Sequence, residues 1–158
     1  MGNRRRAREM AMQALYYIDL SRRRPEEALA LFRKTFSPSK KVEPFFAELV
    51  EGVLRDKRLL DGVIETYSDN WRVSRMACVD RNVIRIAVYE MLRHPDIPPK
   101  VSINEAIDIG KKFGTEESGP FINGILDGMR LALEQGRIEP LPPPPPPDAG
   151  EADFRSEG

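Results

Sequence analysis

One cysteine, Cys78, and one histidine, His94, are all that this 158-residue chain has of either. That scarcity excludes a disulfide framework, zinc sites of the Cys/His kind and any histidine-dependent triad not built on His94. Nowhere do about 18 apolar residues run together, so no segment is expected to span a bilayer. The arginine-rich start also lacks the apolar stretch of a secretory signal, which makes the cytoplasm the expected compartment and a membrane partner unexpected. Neither a glycine-rich phosphate loop, a strand pattern nor an internal repeat interrupts the sequence. Two close carboxylate pairs, Glu105 with Asp108 and Glu116 with Glu117, are the only ones that suggest acid–base chemistry. Both have simpler explanations: Glu105 sits three residues after Ser102 in the spacing of a capping box, and Glu116 and Glu117 precede a helix start where negative charge is favourable. No catalysis, cofactor or metal is expected.

The formal net charge is zero, with 25 cations against 25 carboxylates. It hides an asymmetry. Residues 1–41 carry eleven Lys/Arg against four Asp/Glu, whereas residues 142–158 carry one Arg against four acids. A basic front points to an anionic partner there.

What the chain does have is helical periodicity, organised around Asp80 to Leu92. Val79, Val83, Ile84, Ile86, Ala87, Val88, Met91 and Leu92 cover roughly 240° of a helical wheel, so this segment is expected to lie inside other helices. Asn82, Arg85, Tyr89 and Arg93 share the one polar sector. Asp80 and Glu90 project from the apolar arc and need partners once buried.

Around it, Ala7, Met10, Ala11, Ala14, Leu15 and Ile18 give a first helix one apolar stripe, with Arg4, Arg5, Arg6 and Arg8 at its N-terminal end. Cations there oppose the macrodipole by several tenths of a kcal/mol each, which leaves a solvated start and a phosphate-binding arm as open alternatives. Pro25, Glu26 and Glu27 open a second helix over Ala28 to Lys34. Pro44 starts a third, from Phe45 to Tyr67, with a bend expected at Arg55 to Lys57. Ser74 is the expected cap of the central helix. The proline-rich connector after His94 leads to a helix capped by Ser102 and stopped by Gly114, and Ser118 is expected to cap the last one. Gly124 and Gly128 there leave a flat patch for a backbone or ligand. Phe121 lies on the stripe of that last helix and reads as core by its spacing, although beside Asn123 and Gly124 it could stack on a single-stranded base. The domain boundary is expected at 138: residues 1–138 form the helical domain, and 139–158, with the polyproline run Pro142 to Pro147 and one aromatic, Phe154, form a disordered tail.

Four stretches in order, RRRAREMAMQALYYIDLS from Arg4, DRNVIRIAVYEM from Asp80, IPPKVSINEAIDIGKKFG from Ile97 and SGPFINGILD from Ser118, resemble the NusB family of bacterial transcription antitermination factors. The resemblance implies an all-α fold of about seven helices in two subbundles around the buried central helix. It implies binding without catalysis to the boxA element of nascent ribosomal RNA, together with a NusE-like small-subunit ribosomal protein. The resulting complex would join NusA and NusG on RNA polymerase and suppress premature termination. By matching motif, Arg4, Arg5, Arg6, Arg8 and Gln13 would form the RNA surface with Phe121 and Asn123, and Tyr16 and Asp80 would face the NusE-like partner. Many members carry a lysine just before this phenylalanine where the present chain has Pro120, so one basic contact is missing. Two other readings stay open: an RNA-binding module like the N-terminal domains of ribosomal RNA methyltransferases, which would call for a Rossmann-like domain after it, and a homodimer that hides its RNA surface.

Overall fold

Six α-helices and one short 3-10 turn account for most of residues 2–69 and 71–144, the residues described by the computed structural model. The helices are α1 (Gly2–Leu20), α2 (Pro25–Phe36), α3 (Glu43–Thr66), α4 (Cys78–Arg93), α5 (Pro99–Phe113) and α6 (Ser118–Glu134), with the 3-10 turn at Val73–Arg75. Among the described residues there is no strand, and no helix is long and apolar enough to cross a membrane. The polyproline run beyond 144 and the acidic segment with Phe154 lie outside the described residues.

The greasy segment is the hub. α4 borders α1 and α3 on one side and α5 and α6 on the other, with α2 closing the first group against α1. Asn82 through Leu92 are buried without interruption. Phe46, Leu49, Ile64, Ile84, Leu92, Ile122, Leu126 and Met129 are all fully enclosed, each such side chain contributing about 1.5–3 kcal/mol over its exposed state. Close approach is enforced at two glycines. A Cβ on Gly52 of α3 would fall inside the ring of Tyr89, and one on Gly110 of α5 would overlap Ile122.

The polar sector expected on α4 meets carboxylates rather than water. Arg85 is bidentate to Asp61 at 2.8 and 3.0 Å, Arg93 is bidentate to Asp56 at 3.0 and 3.1 Å, and Asn82 donates to Asp19 at 3.0 Å. Tyr89 is fully buried, and its hydroxyl has no hydrogen-bond partner. These long-range partners explain why so polar a sector can be enclosed.

Several local expectations change. α3 runs unbroken from Glu43 to Thr66, without a bend at Arg55 to Lys57. No serine caps its helix: α4 begins after Ala77 rather than at Ser74, and α5 begins at Pro99, three residues before Ser102. The Ser118 hydroxyl accepts from the Thr115 N–H at 3.0 Å, outside the helix it was expected to cap. Gly114 does end α5, its N–H donating to the Gly110 carbonyl. Of the two glycines expected to form a flat patch, Gly128 lies beneath the Tyr67 carbonyl and Gly124 faces solvent. Past residue 138 the chain still rests on α4, because Leu141 N–H donates to the Leu92 carbonyl and Arg93 donates to that of Pro142.

Candidate nucleic-acid interface

Three helices side by side carry the residues expected to meet RNA. α1 and α5 run parallel where they touch: Arg5 pairs with Glu105 and Asp108, and one turn further on Glu9 pairs with Lys112. α6 then starts against the end of α5, through the Gly114 stop, the Ser118–Thr115 bond and the close Gly110–Ile122 approach. Arg5 therefore meets α5 over Glu105 to Asp108, Glu9 meets it near its end, and Phe121 lies in the first turn of α6, just beyond that end.

The four arginines differ sharply. Arg8 is 5% exposed and sends two bonds, 2.9 and 2.8 Å, to Glu90, itself 1% exposed and also accepting from Ser102 at 3.0 Å. Both donors that face outward in a phosphate clamp are here turned into the core, so Arg8 supplies the partner Glu90 needed and is not part of an exposed basic surface. Arg5 is half-exposed but bidentate to Glu105 at 2.9 Å each, with Asp108 at 3.1 Å. The Arg5 guanidinium holds the Glu105 carboxyl below its ordinary value, by its hydrogen bond first and its charge next, against the upward push of partial burial. Ser102 and Glu105 are thus not a capping box: Ser102 donates to Glu90 of α4, and Glu105 accepts from Arg5 of α1. Arg6 lies 3.8 Å from Glu9, and Arg4 sits 5.0 Å from the centre of the Phe45 ring. These neighbours explain how α1 tolerates cations at the positive end of its dipole.

Gln13 is half-buried and Asn123 exposed. Phe121 is both things the spacing left open: half-buried, it packs on the core and meets the exposed Trp71 edge to face at 5.6 Å. Lys111 and Lys112 were not singled out by sequence reasoning, though both stand in the GKKFG segment. They are exposed; Lys111 lies along Gly119, beside the Pro120 position where a lysine was expected, and Lys112 bonds Glu9 at 2.7 Å. Five cations, Arg4, Arg5, Arg6, Lys111 and Lys112, stand against Glu9, Glu105 and Asp108 and the exposed Glu116 and Glu117 before α6, and among the described residues Arg4 and Lys111 have no carboxylate within salt-bridge distance.

The residues expected to face a protein partner come from the other end of α1, for Tyr16, and from the first turn of α4, for Asp80. Asp19 ties that end to the start of α4, accepting from Arg81 at 2.9 Å, Asn82 at 3.0 Å and Arg85 at 3.2 Å. Burial pushes the Asp19 carboxyl up, but the bonds from Asn82 and Arg81 and the charge of Arg85 outweigh it and hold the group below its ordinary value. Cys78 beside it is shifted the other way: burial pushes its thiol up, away from nucleophilic use. Tyr16 is exposed, whereas Asp80 is 9% exposed and its Oδ1 has no hydrogen-bond partner. Asp80 is thus an enclosed carboxylate rather than an open contact. Among the described residues no group of three His, Cys, Asp or Glu side chains could hold a metal ion.

A sequence profile of the NusB family matches residues 5–130, most of the chain. The chain belongs to the NusB family. Its relatives include the transcription antitermination protein NusB of Desulforapulum autotrophicum, 53% identical over 141 residues that span 88% of this chain and 99% of that protein. That of Desulfatibacillum aliphaticivorans is 56% identical over 133 residues, 84% and 93% of the two chains. Among solved structures, T. maritima NusB superposes with a TM-score of 0.72 at 35% identity, covering 85% of this chain and 97% of that one. A crystal structure of antitermination factors NusB and NusE in complex with double-stranded RNA gives 0.74 at 27% identity, covering 84% and 98%. Within this NusB-family fold, the α1–α5–α6 surface carries the exposed cations of α1 and α5 and the half-buried Phe121 of α6.

Proposed function

We propose that this protein is a transcription antitermination factor that binds boxA of nascent ribosomal RNA together with a NusE-like small-subunit ribosomal protein. The observation that carries this reading is the match to antitermination proteins along nearly their whole length, 99% of the Desulforapulum autotrophicum relative. The α1–α5–α6 surface supports it: Arg4, Arg5, Arg6, Lys111 and Lys112 would neutralise phosphates while Phe121 stacks on a base and Asn123 offers its amide. Tyr16, exposed on α1, would contact the NusE-like protein directly, and Asp80, enclosed at the start of α4, would stand behind that surface. Assembly with NusA and NusG on RNA polymerase, action without catalysis or cofactor, and a cytoplasmic location belong to the same reading.

The test is an RNA-binding titration at fixed salt, with boxA and scrambled strands, alone and with the organism's NusE-like protein. Preference for boxA that strengthens with the partner is expected. Equal affinity for both strands with the partner present overturns the proposal. Size measurement in the same samples separates a homodimer that hides this surface, since RNA would dissolve it.

A further inference from the structure

The loop between α3 and α4 holds an aromatic and two cations that the proposed surface does not use. Trp71 is 52% exposed, yet its backbone is clamped: its N–H donates to the Ser68 carbonyl at 3.1 Å and its carbonyl accepts from the Ser68 hydroxyl at 3.0 Å. The 3-10 turn that follows is anchored to α3, the Val73 N–H donating to Glu65 at 2.8 Å. Residues three apart eclipse on such a turn. Val73 and Met76 share the buried edge, so Arg72 and Arg75 share the exposed one, joined by the Arg75 N–H to Arg72 carbonyl bond of 2.9 Å. Among the described residues neither guanidinium has a carboxylate within salt-bridge distance, unlike Arg5, Arg8, Arg81, Arg85 and Arg93.

Trp71, Arg72 and Arg75 line, with Asp69, an open depression of about 260 Å³. That is below the roughly 300 Å³ at which enclosed small-molecule sites begin, and it is open rather than buried. A held, exposed tryptophan beside two unpaired cations has the chemistry of a stacking platform with phosphate contacts. It is continuous with Phe121, whose ring meets Trp71 edge to face. Asp69 on the same lip repels phosphate and can accept from the amino edge of a base, which orients a strand with its bases toward Asp69 and its phosphates toward the arginines.

We propose that Trp71, Arg72 and Arg75 extend the nucleic-acid surface beyond Phe121 and hold at least one further nucleotide of single-stranded RNA flanking the boxA element. This rests on the RNA-binding reading above.

The experiment compares a boxA strand with the same strand lengthened by a few nucleotides at its 5′ or its 3′ end, using the full chain. Binding of the short strand tests the earlier reading by itself. The ratio of long to short affinity tests this one, and taking the ratio cancels any loosening of Phe121. One of the lengthened strands should bind more tightly, and Trp71→Ala should remove that gain, a loss of about 5- to 150-fold for one stacked base. Trp71→Phe should keep most of it. Arg72→Gln with Arg75→Gln, both exposed and without folding consequence, should lower the salt slope on the long strand by about 0.7 per lost phosphate contact and leave that on the short strand unchanged. Trp71 is the only tryptophan in the chain, so its emission should be quenched by the long strand. Short-strand binding without any gain on lengthening, or unchanged emission when the long strand binds, overturns this inference alone. Loss of NusE-like protein binding in Trp71→Ala, with the RNA ratio intact, overturns it in favour of a protein contact.

Discussion

Replacing Arg8 by alanine discriminates between an arginine that binds RNA and one that holds the fold. In the structure its guanidinium makes two bonds of 2.9 and 2.8 Å to a Glu90 that is 1% exposed. Removing one partner of a buried ion pair leaves an uncompensated charge, which costs roughly 3–5 kcal/mol. For a domain of this size the melting temperature should fall by roughly 6–20 °C. Two features place the loss within that range. Ser102 keeps its 3.0 Å bond to Glu90, which moves the cost toward the lower figure, while a cavity of about 10 Å³ beside Arg8, Glu90 and Ser102 is otherwise walled by Val83, Ile86, Ala87, Ala106 and Ile109, which offer a stranded carboxylate no solvation and move it toward the upper one. The double variant Arg8→Met with Glu90→Leu should recover most of the loss, because apolar groups of similar volume replace the pair without stranding a charge. Urea unfolding of the single and double variants measures the stability, and an RNA titration on the folded fraction measures binding. Arg8→Ala should bind RNA with an unchanged salt slope. A variant that melts like the parent while its salt slope drops by about 0.7 would refute the reasoning and return Arg8 to the RNA surface.

Three further outcomes follow from the same geometry. Phe121→Ala, at a side chain half-buried on the core and set edge to face against Trp71, should cost less folding free energy than the ~3–5 kcal/mol of a fully enclosed phenylalanine, while weakening boxA binding by ~1–3 kcal/mol at an unchanged salt slope; full core-sized destabilisation with normal binding by the folded fraction would remove the stacking role. Because Arg5 holds the folded-state Glu105 carboxyl below its ordinary value of 4.5, the pair's contribution is present above that value and is lost as pH falls through the depressed folded one; Arg5→Gln should flatten this part of the acid limb in urea midpoints, and an unaltered limb would show the pair contributes nothing. Gly52→Ala should destabilise by about 1–3 kcal/mol through overpacking on the Tyr89 ring, whereas Tyr89→Phe should be neutral or stabilising because the buried hydroxyl it removes has no partner, both read from thermal unfolding.

The residues alone determined the helices, their order and the hub, since an apolar arc as wide as that of Asp80 to Leu92 has one stable place, inside other helices. Periodicity is local, and so is the Gly114 stop, which is why both are legible without a fold. Family motifs carried the candidate RNA and partner residues beyond what spacing could say, and left Phe121 divided between core and surface. Tertiary structure decided the partners. Ser102 and Glu105 have the spacing of a cap, yet Ser102 turns to Glu90 and Glu105 to Arg5, 100 residues away in the chain. Arg5 and Arg8, three positions apart in one basic run, part company because one faces α5 at the surface and the other faces α4 in the interior. The polar sector of α4 is enclosed for the same reason: Asp19, Asp56 and Asp61 are supplied by other helices. A charged side chain's fate depends on whether an opposite charge waits where it is buried, and that is a property of packing that no local pattern encodes.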